Sequence, residues 1–321
     1  MSQRVIAAIV LAAWVFPSAF ARRREKPTTP VQLAWAYVPD RGTVLLRKPA
    51  DAKAVIGKLG RGELAEMLET KSKGGVAWVR LAAANPANLE KVIGWADSRS
   101  IKQIPPDRFP TDRALLDAMG GDYLHDFVAG HAVIVRFLVP RAQGKPLLVA
   151  WVGARALAQV RLQLFSPANG KYVGGPFLGF PYAGMGTAIK AMEVQDLRGS
   201  GGECLVSTEA APSGLGSSLR KMVIRQVRAQ GFHTVWQAPL ELTNFTFYPS
   251  AIKVLAPAVR NIGAPGTKTQ GKVTFELQGG RMVPIWKGRV RFYVIGRGAP
   301  VRTLAVEKVC PWKGGRFEPL E

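Results

Sequence analysis

Acidic residues are scarce in this chain: 22 Asp and Glu stand against 44 Lys and Arg, a formal net charge of +22. That balance disfavours cationic partners and favours anionic polymers such as phosphate-rich wall glycopolymers, lipid head groups or nucleic acid. No block of five or six like charges singles out a binding face, so a merely solubilising charge is the competing reading. Histidine is scarcer still. His125, His131 and His233 are the only three, and the spacing of the first two fits neither a helix face nor the common zinc patterns. There is no Gly-x-Ser-x-Gly elbow, and the glycine pairs Gly184/Gly186 and Gly214/Gly216 lack the third glycine and the strand-turn-helix setting of a dinucleotide loop. No metal, cofactor or catalytic residue is therefore expected.

Cysteine is limited to Cys204 and Cys310. In an exported protein an even number suggests one bridge, and closing so long a loop would contribute about 4–5 kcal/mol in the chain-entropy model. Two buried thiols are the alternative. Long apolar runs are also missing. The longest at the N-terminus, Val5 to Phe16 after Arg4, falls short of the ~20 residues that cross a bilayer. With Ala19 and Ala21 behind it, this run is expected to be a signal peptide over 1–21, cleaved after Ala21. Arg22-Arg23-Arg24 immediately behind the site counts against export, since positive charge there hinders it. With no Cys near the site, no lipid anchor is expected, and membrane contact is limited to the signal segment. The expected location is extracytoplasmic, periplasmic or secreted.

What the chain does have is short β-prone runs punctuated by Gly, Pro and Asn. Residues 22–35 are basic and rich in Pro and Thr, a flexible leader. The runs then fall into an order: Thr43 to Leu46 before Arg47-Lys48-Pro49, Val55-Ile56-Gly57-Lys58-Leu59, Leu64 to Leu68, Ala77-Trp78-Val79-Arg80-Leu81, and Ile93-Gly94-Trp95-Ala96. Over residues 36–104 this resembles the bacterial SH3-like domain. The resemblance implies a small barrel acting as an extracytoplasmic binding or spacer module. Trp78 and Trp95 are its expected core anchors, with ligand contact as their alternative role, and Tyr37 is expected to face solvent as a further ligand candidate.

Ile104-Pro105-Pro106 and Phe109-Pro110 mark a boundary. Thr111 then caps a short helix that stops at Gly120-Gly121. From Val133 on the pattern is alternation: Val133, Val135, Phe137 and Val139; the apolar run Leu147 to Val152; Val160, Leu162 and Leu164. Strand-turn-strand passages recur near Lys171-Tyr172, Gly231-Phe232 and Arg316-Phe317, so residues 111–321 are expected to be an antiparallel β-meander domain, partly propeller-like or a sandwich. Over about residues 189–208 the chain weakly resembles an integrin-type (FG-GAP or VCBS-like) repeat, but in its loop, Asp196 to Glu203, Arg198 and Ser200 stand where that family has Ca²⁺-ligating carboxylates, so calcium is not expected.

The last strands carry Arg289, Arg291 and Tyr293 on one face and Val290, Phe292 and Val294 on the other. The first three are candidate contacts to an anionic polymer; the alternative is that they form the wet face of a sheet. The expectation is a mainly β, exported, non-enzymatic binding or scaffold protein of the cell envelope. Its partner would be peptidoglycan, another anionic envelope polymer, or an envelope protein, without specific nucleic-acid recognition. An envelope hydrolase or sensor, with its site assembled from distant residues, is the alternative.

Overall fold

Two antiparallel sheets, packed face to face, account for most of the chain in this computed structural model. Described are residues 33–39, 42–85, 90–119, 132–142, 145–154, 159–168, 171–181, 189–197, 203–211, 217–228, 230–244, 266–293 and 299–320. The expected signal segment, most of the leader, His125, His131 and the middle of the 196–203 loop lie outside them.

The first sheet has eleven strands. From the N-terminal segment come β1 (Ala34–Tyr37), β2 (Thr43–Leu46), β3 (Val55–Leu59), β4 (Glu63–Lys73), β5 (Val76–Asn85), β6 (Glu90–Asp97) and β7 (Lys102–Ile104). Beyond the proline-rich boundary follow β8 (Ala132–Ala142), β9 (Lys145–Ala154), β10 (Gln159–Ala168) and β11 (Lys171–Pro181). The main path runs β11-β10-β9-β8-β4-β5-β6-β2-β3, with β1 pairing β4 and β7. Two findings correct the sequence reading here. The expected leader ends early, because Ala34 and Trp35 are already buried in β1. The strands of residues 34–104 do not close on themselves as a barrel. Instead β4 pairs with β8 at Glu63↔Phe137 and Leu64↔Arg136, carrying one sheet across the boundary.

The second sheet is a meander in strict sequence order: β12 (Ile189–Asp196), β13 (Glu203–Ala211), β14 (Ser217–Arg228), β15 (Gly231–Asn244), β16 (Gly266–Gln278), β17 (Arg281–Tyr293) and β18 (Arg302–Val309). One continuous seven-stranded sheet takes the place of separate propeller blades. A final ribbon, β19 (Trp312–Lys313) with β20 (Arg316–Phe317), carries Phe317 into the core. Among the described residues no helix is long and apolar enough to cross a membrane.

Alternation explains the layering. On β8 the odd residues Val133, Val135, Phe137 and Val139 meet Ile189, Met192, Val194, Leu205 and Val227 of the second sheet, forming the core between the sheets. The even residue Ile134 faces the other way, into a cluster with Leu148 and Phe165 under α1 (Asp112–Met119). The helix starts as its sequence predicts: the Thr111 hydroxyl accepts the Ala114 amide at 3.3 Å, and Leu115, Leu116 and Met119 supply its buried side. Arg136, also on the even face, is ion-paired with Asp112 and lies 4.7 Å from the Trp35 ring centroid. A strand with cores on both sides reads as a nearly continuous apolar run, and β9 is one.

The turn Gly60–Glu63 ties these parts together. Its Arg61 carbonyl accepts the Val194 amide of β12 at 2.8 Å, its Gly62 carbonyl accepts the Leu138 amide of β8 at 2.8 Å, and the Arg61 guanidinium donates to Glu203 of β13 at 2.7 Å. Glu63 closes the turn by accepting the Gly60 amide at 2.9 Å, with its side chain buried.

Candidate functional site

The β16–β17 ribbon is the longest regular hairpin in the second sheet, and its turn dictates its register. Gly279 (φ 57°) and Gly280 (φ 79°) form a two-residue turn with two left-handed positions, the geometry that matches strand twist and that glycine adopts without strain. Gln278 therefore opposes Arg281, and pairing continues without a bulge to Gly266↔Tyr293. Because directly opposed residues share a face, this register decides which charges meet.

On the buried side the ribbon is anchored by Trp286, which is fully buried and donates its indole N–H to the Pro239 carbonyl at 2.7 Å. Its ring occupies the space left by the cross-strand pair Gly271↔Gly288, where an added Cβ would come within 2.4 Å and 2.5 Å of ring atoms. Val290 and Phe292 continue the same buried side.

The outward side is cationic, arranged in three rungs. Lys268 opposes Arg291, with Thr303 of β18 beyond. Gln270 opposes Arg289, with Ala305 beyond. Lys272 opposes Lys287, with Glu307 beyond. Two of the three rungs thus put cation directly against cation, an arrangement that is destabilising at such cross-strand positions. Of the neighbouring carboxylates, Glu307 offsets one rung cation by holding Lys287 at 2.7 Å, whereas Glu241, opposite Gln270, is engaged elsewhere, holding Arg220 at 2.7 Å. The Glu307 carboxylate, by accepting its hydrogen bond, keeps the Lys287 ammonium above the ordinary lysine range, and Glu276 adds to this. Lys268, Lys272, Arg289 and Arg291 have no carboxylate partner among the described residues. Lys272, Arg289 and Arg291 line a shallow depression of about 560 Å³, together with Gln270, Lys287 and Glu307.

The sequence-based candidates fall into three places. Arg289, Arg291 and Tyr293 share the outward side of β17, Arg289 exposed and the other two half-buried. Tyr37, expected to face solvent, is instead buried with Leu64 and Phe109 on the α1 side. Trp78 and Trp95, expected as core anchors, are half-buried on the opposite face of β5 and β6 from the core, which uses Val79, Leu81, Ala83 and Ala96. There Trp95 opposes Arg80, and Trp78 opposes Asp97.

Cys204 and Cys310 form no disulfide. Both are buried thiols of one cluster with Trp236 and Trp286. The Cys310 sulfur donates to the Lys308 carbonyl at 4.0 Å, and burial pushes its pKa up, so it serves as a small core residue. His233 is exposed on β15, and Glu203 is spent on Arg61. Sequence reasoning missed Lys268, Lys272 and Lys287 as companions of the two arginines. The signal was present in Gly279-Gly280, since counting back from a two-residue turn places each lysine opposite its partner.

No family model, curated protein or solved structure matches the chain.

Proposed function

We propose that this is a non-enzymatic binding or scaffold protein of the cell envelope that holds an anionic polymer on the cationic side of β16–β18. One observation carries the reading. The sheet sets Lys268 against Arg291 with no carboxylate beside them and places Arg289 and Lys272 on the same outward side, while Glu307 offsets only Lys287 and Glu241 is held by Arg220, so a bound polyanion relieves a repulsion that the fold itself leaves standing. In this reading residues 1–21 direct export. The SH3-like segment, residues 36–104, offers a second contact to a wall polymer or an envelope protein through Trp78, Arg80 and Trp95. Glu63, whose pKa is pushed well up by burial, lends no support to the alternative of a hydrolase or sensor, because it is held in a packed turn by the Gly60 amide.

The test is co-sedimentation of the purified chain with peptidoglycan carrying its attached anionic polymers, over a salt series. Retention falls as salt rises, and the double substitution Arg289→Glu with Arg291→Glu abolishes it without changing the circular dichroism. Retention of the double variant equal to that of the parent overturns the assignment of the site.

A further inference from the structure

The binding reading above leaves the shape of the ligand open, and the rungs constrain it. We infer that the ligand of this face is a single extended phosphodiester chain without bases, lying along β17; the inference rests on the polyanion reading.

Lys287, Arg289 and Arg291 recur at every second residue of β17, and alternate residues of a strand are ~6.8 Å apart. Lys272 and Lys268 stand beside the outer two, one strand spacing of ~4.8 Å away. The charged strip is therefore three rungs long and two strands wide. On its β18 side it is bordered by the short uncharged side chains of Ala305 and Thr303, and by Glu307 only at the Lys287 end. A compact multivalent anion would engage one rung, whereas a chain can engage all three.

The repeat also selects the chemistry. Two residues of a strand comprise six skeletal bonds. A phosphodiester whose phosphates are bridged through three carbons likewise has six skeletal bonds per charge, and so reaches ~7 Å when extended. One phosphate then meets each rung. The arginines at the middle and last rungs present the planar fork that suits phosphate oxygens. Nucleic acid shares this skeletal count, but single strands are held by stacking successive bases on aromatic side chains. The three rungs hold Lys, Arg, Gln, Thr, Ala and Glu, and Tyr293 stands only at the end of the row. A chain of alditol phosphate units satisfies the cations and needs no stacking platform.

The test uses the full chain and titrates it with glycerol phosphate, with poly(glycerol phosphate) of three and of about ten units, and with oligothymidylate matched in phosphate number. The trimer is expected to bind at least tenfold tighter than the monomer, and the decamer to gain little more than its number of equivalent positions. Oligothymidylate binds more weakly than the matched alditol phosphate chain. The logarithm of affinity against the logarithm of salt concentration has a slope of about −2 to −3, near −0.7 per phosphate engaged. Lys268→Gln and Arg291→Gln, which share one rung, each make that slope shallower by at most ~0.7, while Lys53→Gln, on an exposed turn outside the ribbon, leaves it unchanged. A trimer no tighter than the monomer overturns the extended-chain inference and leaves the polyanion reading standing. Oligothymidylate binding as tightly as the alditol phosphate chain overturns the base-free assignment. An equal effect of Lys53→Gln reduces the interaction to overall charge and overturns the site. If no polyanion binds even at low salt, the proposed function fails together with the inference.

Discussion

Glu63→Gln removes a carboxyl that sits at the meeting point of both sheets. The Glu63 side chain is about 6% exposed, and burial raises its pKa from 4.5 to about 8, against the smaller opposing effect of the Gly60 amide that donates to it. Between these two values the folded protein holds a proton that the unfolded chain releases. Stability from this group is therefore fully present below pH 4.5 and is lost as pH rises to about 8. At ~1.4 kcal/mol per pH unit, the loss across the window is on the order of 5 kcal/mol. Glutamine keeps an oxygen for the Gly60 amide and has no proton to lose. Urea denaturation at pH 5, 6, 7, 8 and 9 is the assay, comparing parent with variant so that all other titrating groups cancel. The variant is expected to lose little at pH 5 and to be several kcal/mol more stable than the parent at pH 9, with the difference growing steadily in between. Parallel stability curves for the two proteins refute the reasoning, because they would mean that Glu63 titrates alike in both states.

Three further outcomes follow from the packing. Arg225 and Glu209 form a buried ion pair between the sheets, with Arg225 Nη2 donating to Glu209 Oε2 at 3.1 Å; Arg225→Leu leaves a buried carboxylate uncompensated and is expected to cost about 3–5 kcal/mol in denaturant unfolding, much of it recovered by adding Glu209→Leu. Gly271→Ala drives a methyl into the Trp286 ring and is expected to cost about 1–3 kcal/mol by thermal unfolding, an effect that shrinks when Trp286 is first replaced by leucine. Thr111→Ala removes the oxygen that accepts the Ala114 amide and is expected to cost ~1 kcal/mol, measured the same way.

Much of the local structure was readable in advance. The alternation of Val133, Val135, Phe137 and Val139 predicts a strand with one apolar side, and that side is the core between the sheets. The Thr111 cap and the helix behind it form as read. Tyr37, Trp78 and Trp95 were read onto the wrong side. Trp78 and Val79 alternate, so one of them had to face outward. Bulk suggested Trp78 for the core, yet Arg80 two residues on shares its face, and the run Val79, Leu81, Ala83 holds the interior. Likewise Arg289 and Arg291 were found from their alternation with Val290 and Phe292, but the lysines opposite them needed the register of the hairpin.

The alternation of strands such as β8 and β17 and the cap of the helix were legible in the amino-acid order, because backbone period and capping geometry act within a few residues. Which side of a strand is covered, that β4 pairs with β8 more than seventy positions away, and that Glu63 is buried where those strands meet were decided by the tertiary structure alone. Burial depends on what packs opposite, and the partners on the far side of the core come from segments whose distance in sequence carries no information about their meeting in space.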